Sequence, residues 1–256
     1  MLKIYGERNT GTNYLTALME SNFEALILSG RVDDRYWPVR VTRRLRRYWP
    51  QVAHKLHESA RDRYFSRTFH HNLGWKHMNP DPQRIGDEAL KSVRFVMVVK
   101  NPYAWLCSLF KRPYHVGAKD VQFSDFLNRR LDVMERRENI GPNQLTPVEV
   151  WNAKIRGYRE LVVAADHAMI VSYEDFLRDE QRMLSTVAQT LQIPQKSIYV
   201  PIGGGIKRDD ADLTTNYYAD FYLNERWRDN LTAAHIEQIN ALLDDELVKS
   251  VGYEMI

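Results

Sequence analysis

Three short, largely apolar runs constrain the fold of this chain more than any other feature. Leu2 to Tyr5, Arg94 to Val99 and His167 to Ser172 each lead into a stretch whose apolar residues recur at helical spacing. A strand that stays apolar on successive residues is buried on both faces, as in a parallel sheet packed between helices. The expected architecture is therefore α/β: three layers, α/β/α, with a central, mainly parallel sheet. It opens with a strand-loop-helix that looks like a phosphate loop. The segment Leu73 to His77 reads as a further strand, and Phe123 to Asn139, Pro147 to Ala164 and Glu174 to Leu191 read as helices.

With 256 residues and 44% hydrophobic content, the chain can bury a large core. Neither a repeat nor a linker of Pro, Gly or Ser divides it, so residues 1–256 are expected to form a single domain. A basic insertion is expected at about residues 31–68. Arg40 to Arg47 carry most of its charge, and Tyr48, Trp49 and Pro50 follow. Cations interleaved with aromatics suit RNA or a membrane surface. The plainer reading is a solvated helix face or an insertion, with a flap over an anionic acceptor as a middle course. A formal charge of +3 from 36 basic and 33 acidic residues favours that plainer reading, and nucleic acid is not expected as a partner. Cys107 is the single cysteine, which excludes an intrachain disulfide and any multi-cysteine zinc site and fits a reducing, cytoplasmic location. No apolar run reaches the length of about 18 residues that a spanning helix needs, so no transmembrane segment is expected. Oligomeric state is not readable.

Gly6-Glu7-Arg8-Asn9-Thr10-Gly11-Thr12-Asn13 places two glycines four residues apart, after a strand and before a helix. In that context backbone amides can surround phosphate oxygens. The loop lacks the Lys-Ser/Thr pair that serves the terminal phosphates and magnesium in nucleotide hydrolases, which counts against kinase chemistry. The plain alternative is a glycine-bearing turn with Thr12 as the helix N-cap. A second motif closes the next strand. There Lys100-Asn101-Pro102-Tyr103 is followed by Ser108, eight positions after Lys100 and about two helical turns along the helix that Pro102 begins. A cation and a hydroxyl so placed can grip one phosphate from two sides. The plain alternative is a serine bonded to its own helix.

Together these motifs resemble the two-part signature by which the sulfotransferase superfamily binds 3′-phosphoadenosine 5′-phosphosulfate (PAPS). Trp75-Lys76-His77 is similar to the family's lysine and catalytic histidine, and Ser172-Tyr173-Glu174-Asp175-Phe176 to its Tyr-Glu-Asp segment, so the likeness runs from residue 2 to about residue 193. Two letters depart from the family pattern. Asn9, with Arg8 before it, stands where cytosolic members usually have lysine, and Lys100 stands where arginine is usual.

The resemblance implies a sulfotransferase that moves a sulfuryl group from PAPS to a hydroxyl or amine, leaves PAP, and requires no metal. His77 is the expected base and Glu7 the second choice. Lys76, Arg8 and the amides of Thr10, Gly11 and Thr12 are expected to stabilise developing charge. Arg8, Asn9, Thr12 and Asn13 would hold the 5′-phosphosulfate, Lys100 and Ser108 the 3′-phosphate, and Tyr173 the adenine. Gly203 to Gly205 with Lys207 and Arg208 resemble the family's loop over the 3′-phosphate. The acceptor would be a small molecule or a glycan. Tyr217, Tyr218, Phe221, Tyr222 and Trp227 read as packing. The rival functions are a kinase with a degenerate phosphate loop and a non-catalytic anion- or nucleic-acid-binding protein.

Overall fold

The computed structural model of the chain describes residues 1–113, 121–132, 135–141, 144–202 and 215–256. Its sheet contains β1 (Leu2–Gly6), β2 (Ile27–Leu28), β3 (Arg94–Val99) and β6 (Ala168–Ser172), all parallel, in the order β2-β1-β3-β6. A separate antiparallel pair joins β4 (Leu131–Asp132) to β5 (Gln144–Leu145). The architecture is thus α/β, mainly helical around a central parallel sheet.

Burial explains why the central strands lack alternation. From Phe95 to Val99 every side chain is at most 1% exposed, so both faces of β3 are covered. The register then sets the functional edge of the sheet. Gly6 is aligned with Val98, and Val99 with Ser172, so β1, β3 and β6 all end at one edge. The chain leaves them there as the glycine loop, as Lys100-Asn101 and as Tyr173. Ligands of open parallel sheets bind at this carboxyl edge.

Each of these exits starts a helix by a local device. Gly11, in the left-handed region at φ 90°, caps Thr12–Asn22. The Asn101 side chain accepts from the amides of Tyr103 and Ala104 at the start of Pro102–Lys111. Ser172 Oγ accepts from Asp175 N at 3.0 Å at the start of Tyr173–Arg178. Pro147–Ala164 forms over its expected span, with Thr146 and Glu149 in a reciprocal capping box.

The structure corrects three local expectations and departs from the plain alternative for the glycine loop. Thr12 is the first residue of its helix and Gly11 is the cap. Leu73 to His77 is a turn and not a strand, because Leu73 and Gly74 both take positive φ and end the helix Pro50–Asn72. That turn still lies against β1, where buried Lys3 Nζ donates to Asn72 O at 2.5 Å and to Gly74 O at 2.6 Å, and Tyr5 Oη to Leu73 O at 2.6 Å. The expected Glu174 to Leu191 helix is broken at Asp179, whose extended backbone ends Tyr173–Arg178 and whose carboxylate caps Glu180–Leu191. The expected Phe123 to Asn139 helix stops at Asn128 and gives way to β4. Residues 31–68, expected as a basic insertion, contribute to two helices, Trp37–Leu45 and Pro50–Asn72.

Candidate active site

A cleft of about 710 Å³ opens at the carboxyl edge of the sheet. Arg8, Asn9, Gly11, Thr12 and Asn13 of the glycine loop line one side of it. Close approach requires both loop glycines. A Cβ on Gly6 would lie 2.4 Å from Val98 Cγ1, and one on Gly11 would lie 2.4 Å from the Tyr173 ring. Within the loop, Asn9 also takes a positive φ of 68°. Thr10 is turned inward: its amide donates to Glu7 O at 3.2 Å and its hydroxyl to the same oxygen at 2.6 Å. The Thr10 amide is therefore already engaged inside the loop, contrary to its expected part in anion binding.

Lys100 and Ser108 line the same cleft. Lys100 is 3% exposed, and among the described residues it forms no ion pair. Its ammonium lies 3.9 Å from the Tyr222 ring centroid and 4.3 Å from that of Tyr173. Ser108 Oγ donates to Ala104 O at 2.9 Å, as a helical serine does, and also lies 3.0 Å from Tyr222 Oη. Burial alone would raise the Tyr222 pKa, but the Lys100 charge and hydrogen bonds from Lys100 and Ser108 outweigh it and lower that pKa. Tyr217, Tyr218 and Phe221 join Tyr222 in the cleft wall, whereas Trp227 is buried and stacks on Tyr103. The aromatic stripe expected to be packing is thus mostly cleft surface.

His77 reaches the cleft from the turn after Pro50–Asn72. Its Nδ1 lies 2.6 Å from Gly6 O, an acceptor, so Nδ1 carries the proton and Nε2 is left with a lone pair. Burial, and then the charges of Lys76 and Arg8, hold its pKa well below the ordinary histidine value. The imidazole is neutral at pH 7.

The charged residues of the loop take different parts. Glu7 is 4% exposed; Oε2 pairs with Lys154 Nζ at 2.9 Å and Oε1 accepts from Arg8 N at 2.7 Å. Lys154 Nζ also donates to His77 O, which ties the loop and the His77 turn to one helix. Glu7 is therefore absent from the cleft lining, and burial with Lys154 sets it to holding the loop. Arg8 donates to Glu138 Oε1 at 2.5 Å, and its guanidinium lies 4.3 Å over the Trp75 ring. Lys76 lies outside the lining and donates to Asn13 Oδ1, which also accepts from Arg31 Nη2 at 2.7 Å. Lys207 and Arg208, with Gly203 to Gly205, lie outside the described residues.

Sequence reasoning missed Tyr222, Lys154, Glu138 and Arg31. For Tyr222 no local signal existed, since helical spacing of aromatics describes a cleft wall and a packed face equally. For Lys154 there was a weak one: a lysine within the apolar residues of a capped helix needs a buried partner.

No family model matches the chain, and no curated protein matches it by sequence. Solved structures do match it, two of them across its whole length. The sulfotransferase domain of the Synechococcus PCC 7002 olefin synthase is 16% identical, with all of this chain and 95% of that one covered and a TM-score of 0.50. The sulfotransferase domain from the curacin biosynthetic pathway is 13% identical, with all of this chain and 98% of that one covered and a TM-score of 0.44. The chain has the fold of sulfotransferase domains.

Proposed function

We propose that this chain is a PAPS-dependent sulfotransferase, working as one unit, whose acceptor is a hydroxyl or amine of a small molecule or glycan. The observation that carries the reading is Lys100. A buried ammonium that forms no ion pair among the described residues faces a cleft whose other side is a glycine loop at a helix start. The Glu174 carboxylate acts on this ammonium only from beyond ion-pair distance, and Tyr222 offers it a ring face and a hydroxyl. An anionic ligand in the cleft would therefore meet an ammonium that no carboxylate pairs directly among the described residues. The donor carries two anionic groups, a 3′-phosphate and a 5′-phosphosulfate, and the cleft has two poles to receive them.

Lys100 and Ser108, with Tyr222 beside them, would hold the 3′-phosphate. The amides at Gly11 and Thr12, with Thr12 and Asn13 side chains, would hold the 5′-phosphosulfate. Tyr173, packed over Gly11, would border the adenine. Bound PAPS supplies the sulfuryl group and leaves as PAP, keeping the electron pair of the broken S–O bond on the 5′-phosphate. His77 Nε2 would take the acceptor proton as the acceptor's oxygen or nitrogen bonds to sulfur, while Gly6 O keeps the ring in the tautomer that can do so. Arg8, in the loop and in the cleft lining, would stabilise the charge that builds on the bridging oxygen, and Lys76, outside the lining, would act through the Asn13 side chain that it holds. Glu7 has no part in proton transfer in this scheme.

Calorimetry against PAP, ADP and ATP tests the reading, with Lys100→Ala and Ser108→Ala alongside the unaltered chain. PAP is expected to bind more tightly than ADP, and both substitutions are expected to weaken PAP. Equal affinity for PAP and ADP, indifference to both substitutions, or magnesium-dependent ATP turnover would overturn it.

A further inference from the structure

The cleft leaves unused the outer end of the basic insertion, the helix Trp37–Leu45 and the first turns of Pro50–Asn72. Arg35, Arg40, Arg43, Arg44, Arg46, Arg47 and Lys55 place seven cations there with no Asp or Glu between them, in a chain of net formal charge +3. All seven are exposed, and among the described residues none forms an ion pair.

Exposed cations alone would be a solvated surface, but their neighbours are exposed aromatics. Trp37 is 69% exposed, Tyr48 70% and Trp49 64%. Val41, Val52 and Leu56 are exposed as well. Trp37 and Val41 are four residues apart on the first helix. Trp49, Val52 and Leu56 fall at i, i+3 and i+7 around the second, so each helix carries an outward apolar stripe. These stripes do not result from loose attachment. Val39, Ala53 and His57 are buried on the inner side, and Thr42 Oγ1 lies 3.0 Å from His57 Nδ1, joining the two helices.

We infer that this helical pair docks on the anionic face of a phospholipid bilayer. Arginines meet the headgroup phosphates, and indole and phenol rings sit at the headgroup level. Nucleic acid would account for the arginines and aromatics but not for Val41, Val52 and Leu56. Those gain nothing from a phosphate backbone and bury apolar area at the acyl boundary. Among the described residues no helix is long and apolar enough to cross a membrane, so the attachment is interfacial. It does not depend on the chemistry of the cleft.

Flotation of the intact protein with vesicles tests the inference. Vesicles of phosphatidylcholine and phosphatidylglycerol in equal parts are compared with phosphatidylcholine alone and with polyuridylate RNA as a soluble polyanion. The protein is expected to float with the mixed vesicles only, with a blue shift of tryptophan emission. Reversing three charges, Arg43→Glu, Arg44→Glu and Arg47→Glu together, is expected to lower partitioning on the order of a hundredfold, since each basic residue near such a surface contributes about fivefold. Trp37→Ser with Trp49→Ser is expected to remove the blue shift and weaken flotation most at high salt, where the charges are screened. Circular dichroism and the thermal midpoint of both variants are expected to match the unaltered chain, because every changed residue is exposed. Failure of the folded, unaltered protein to float overturns the inference, as does equal flotation with phosphatidylcholine alone. Tighter binding of RNA than of mixed vesicles, with no effect of the tryptophan changes, assigns the surface to nucleic acid instead.

Discussion

Lys100 Nζ lies 3.9 Å from the ring centroid of Tyr222, and the Tyr222 hydroxyl meets Ser108 Oγ at 3.0 Å. Tyr222 thus links the two residues that the second motif places eight positions apart. It does so from a helix that follows them by more than a hundred residues.

Removing only that hydroxyl, Tyr222→Phe, keeps the ring face for Lys100 and takes one partner from Ser108. PAP affinity is expected to fall by roughly two- to tenfold, the weight of one neutral hydrogen bond, and Lys100→Ala to cost more because it deletes a charge. Calorimetry of the two variants gives the order; an unchanged Tyr222→Phe affinity would separate the hydroxyl from the ligand.

The neutral state of His77 leads to a defined pH profile. Burial and the charges of Lys76 and Arg8 depress its pKa, so the lone pair on Nε2 survives to lower pH than in an ordinary histidine. The acid limb of kcat/KM is therefore expected below the usual histidine range, with the rate rising as pH rises through it. Lys76→Met removes one depressing charge and is expected to move the limb to higher pH. His77→Ala is expected to lower turnover roughly a hundred- to ten-thousand-fold with PAP binding retained. Retained turnover in His77→Ala would move the base elsewhere.

The Glu7–Lys154 pair is buried on both sides, with side chains 6% and 2% exposed. Breaking it from one side leaves an uncompensated charge, so Lys154→Met and Glu7→Gln are each expected to cost about 3–5 kcal/mol. Made together, the two changes are expected to cost far less than the sum. Urea unfolding of the four proteins as a double-mutant cycle measures the coupling. Additive losses would show that the pair does not act as a unit.

Gly11→Ala tests the loop geometry. The new Cβ would meet the Tyr173 ring at 2.4 Å on a backbone held at φ 90°. A loss of roughly 1–3 kcal/mol is expected from the backbone conformation alone, and weaker PAP binding with it. Tyr173→Ala by itself removes a buried ring that packs on Tyr14 and Tyr222 and is expected to destabilise. Combined with Gly11→Ala it is expected to cost less than the sum of the two, and the double-mutant cycle reads the clash as that shortfall.

The three strand-then-helix units could be read in the sequence because unbroken apolar runs have few solutions other than a strand covered on both faces, and the exits at Gly11, Asn101 and Ser172 carry their own capping chemistry. Leu73 to His77 could not be read. Its apolar letters fit a strand, and two consecutive positive φ values turn it, held in place by Lys3 and Tyr5 from β1. Whether Glu7 faces ligand or lysine, whether Tyr222 packs or lines a cleft, and which proton His77 carries all depend on partners tens of residues away. Sequence by itself determined the parallel sheet, the phosphate-loop-like turn and the cation at the next strand end, since each depends on neighbours within a few positions. Only the tertiary structure decided which side chains share the cleft. Register brings three strand ends to one edge, and long-range hydrogen bonds and ion pairs then choose which polar groups face it.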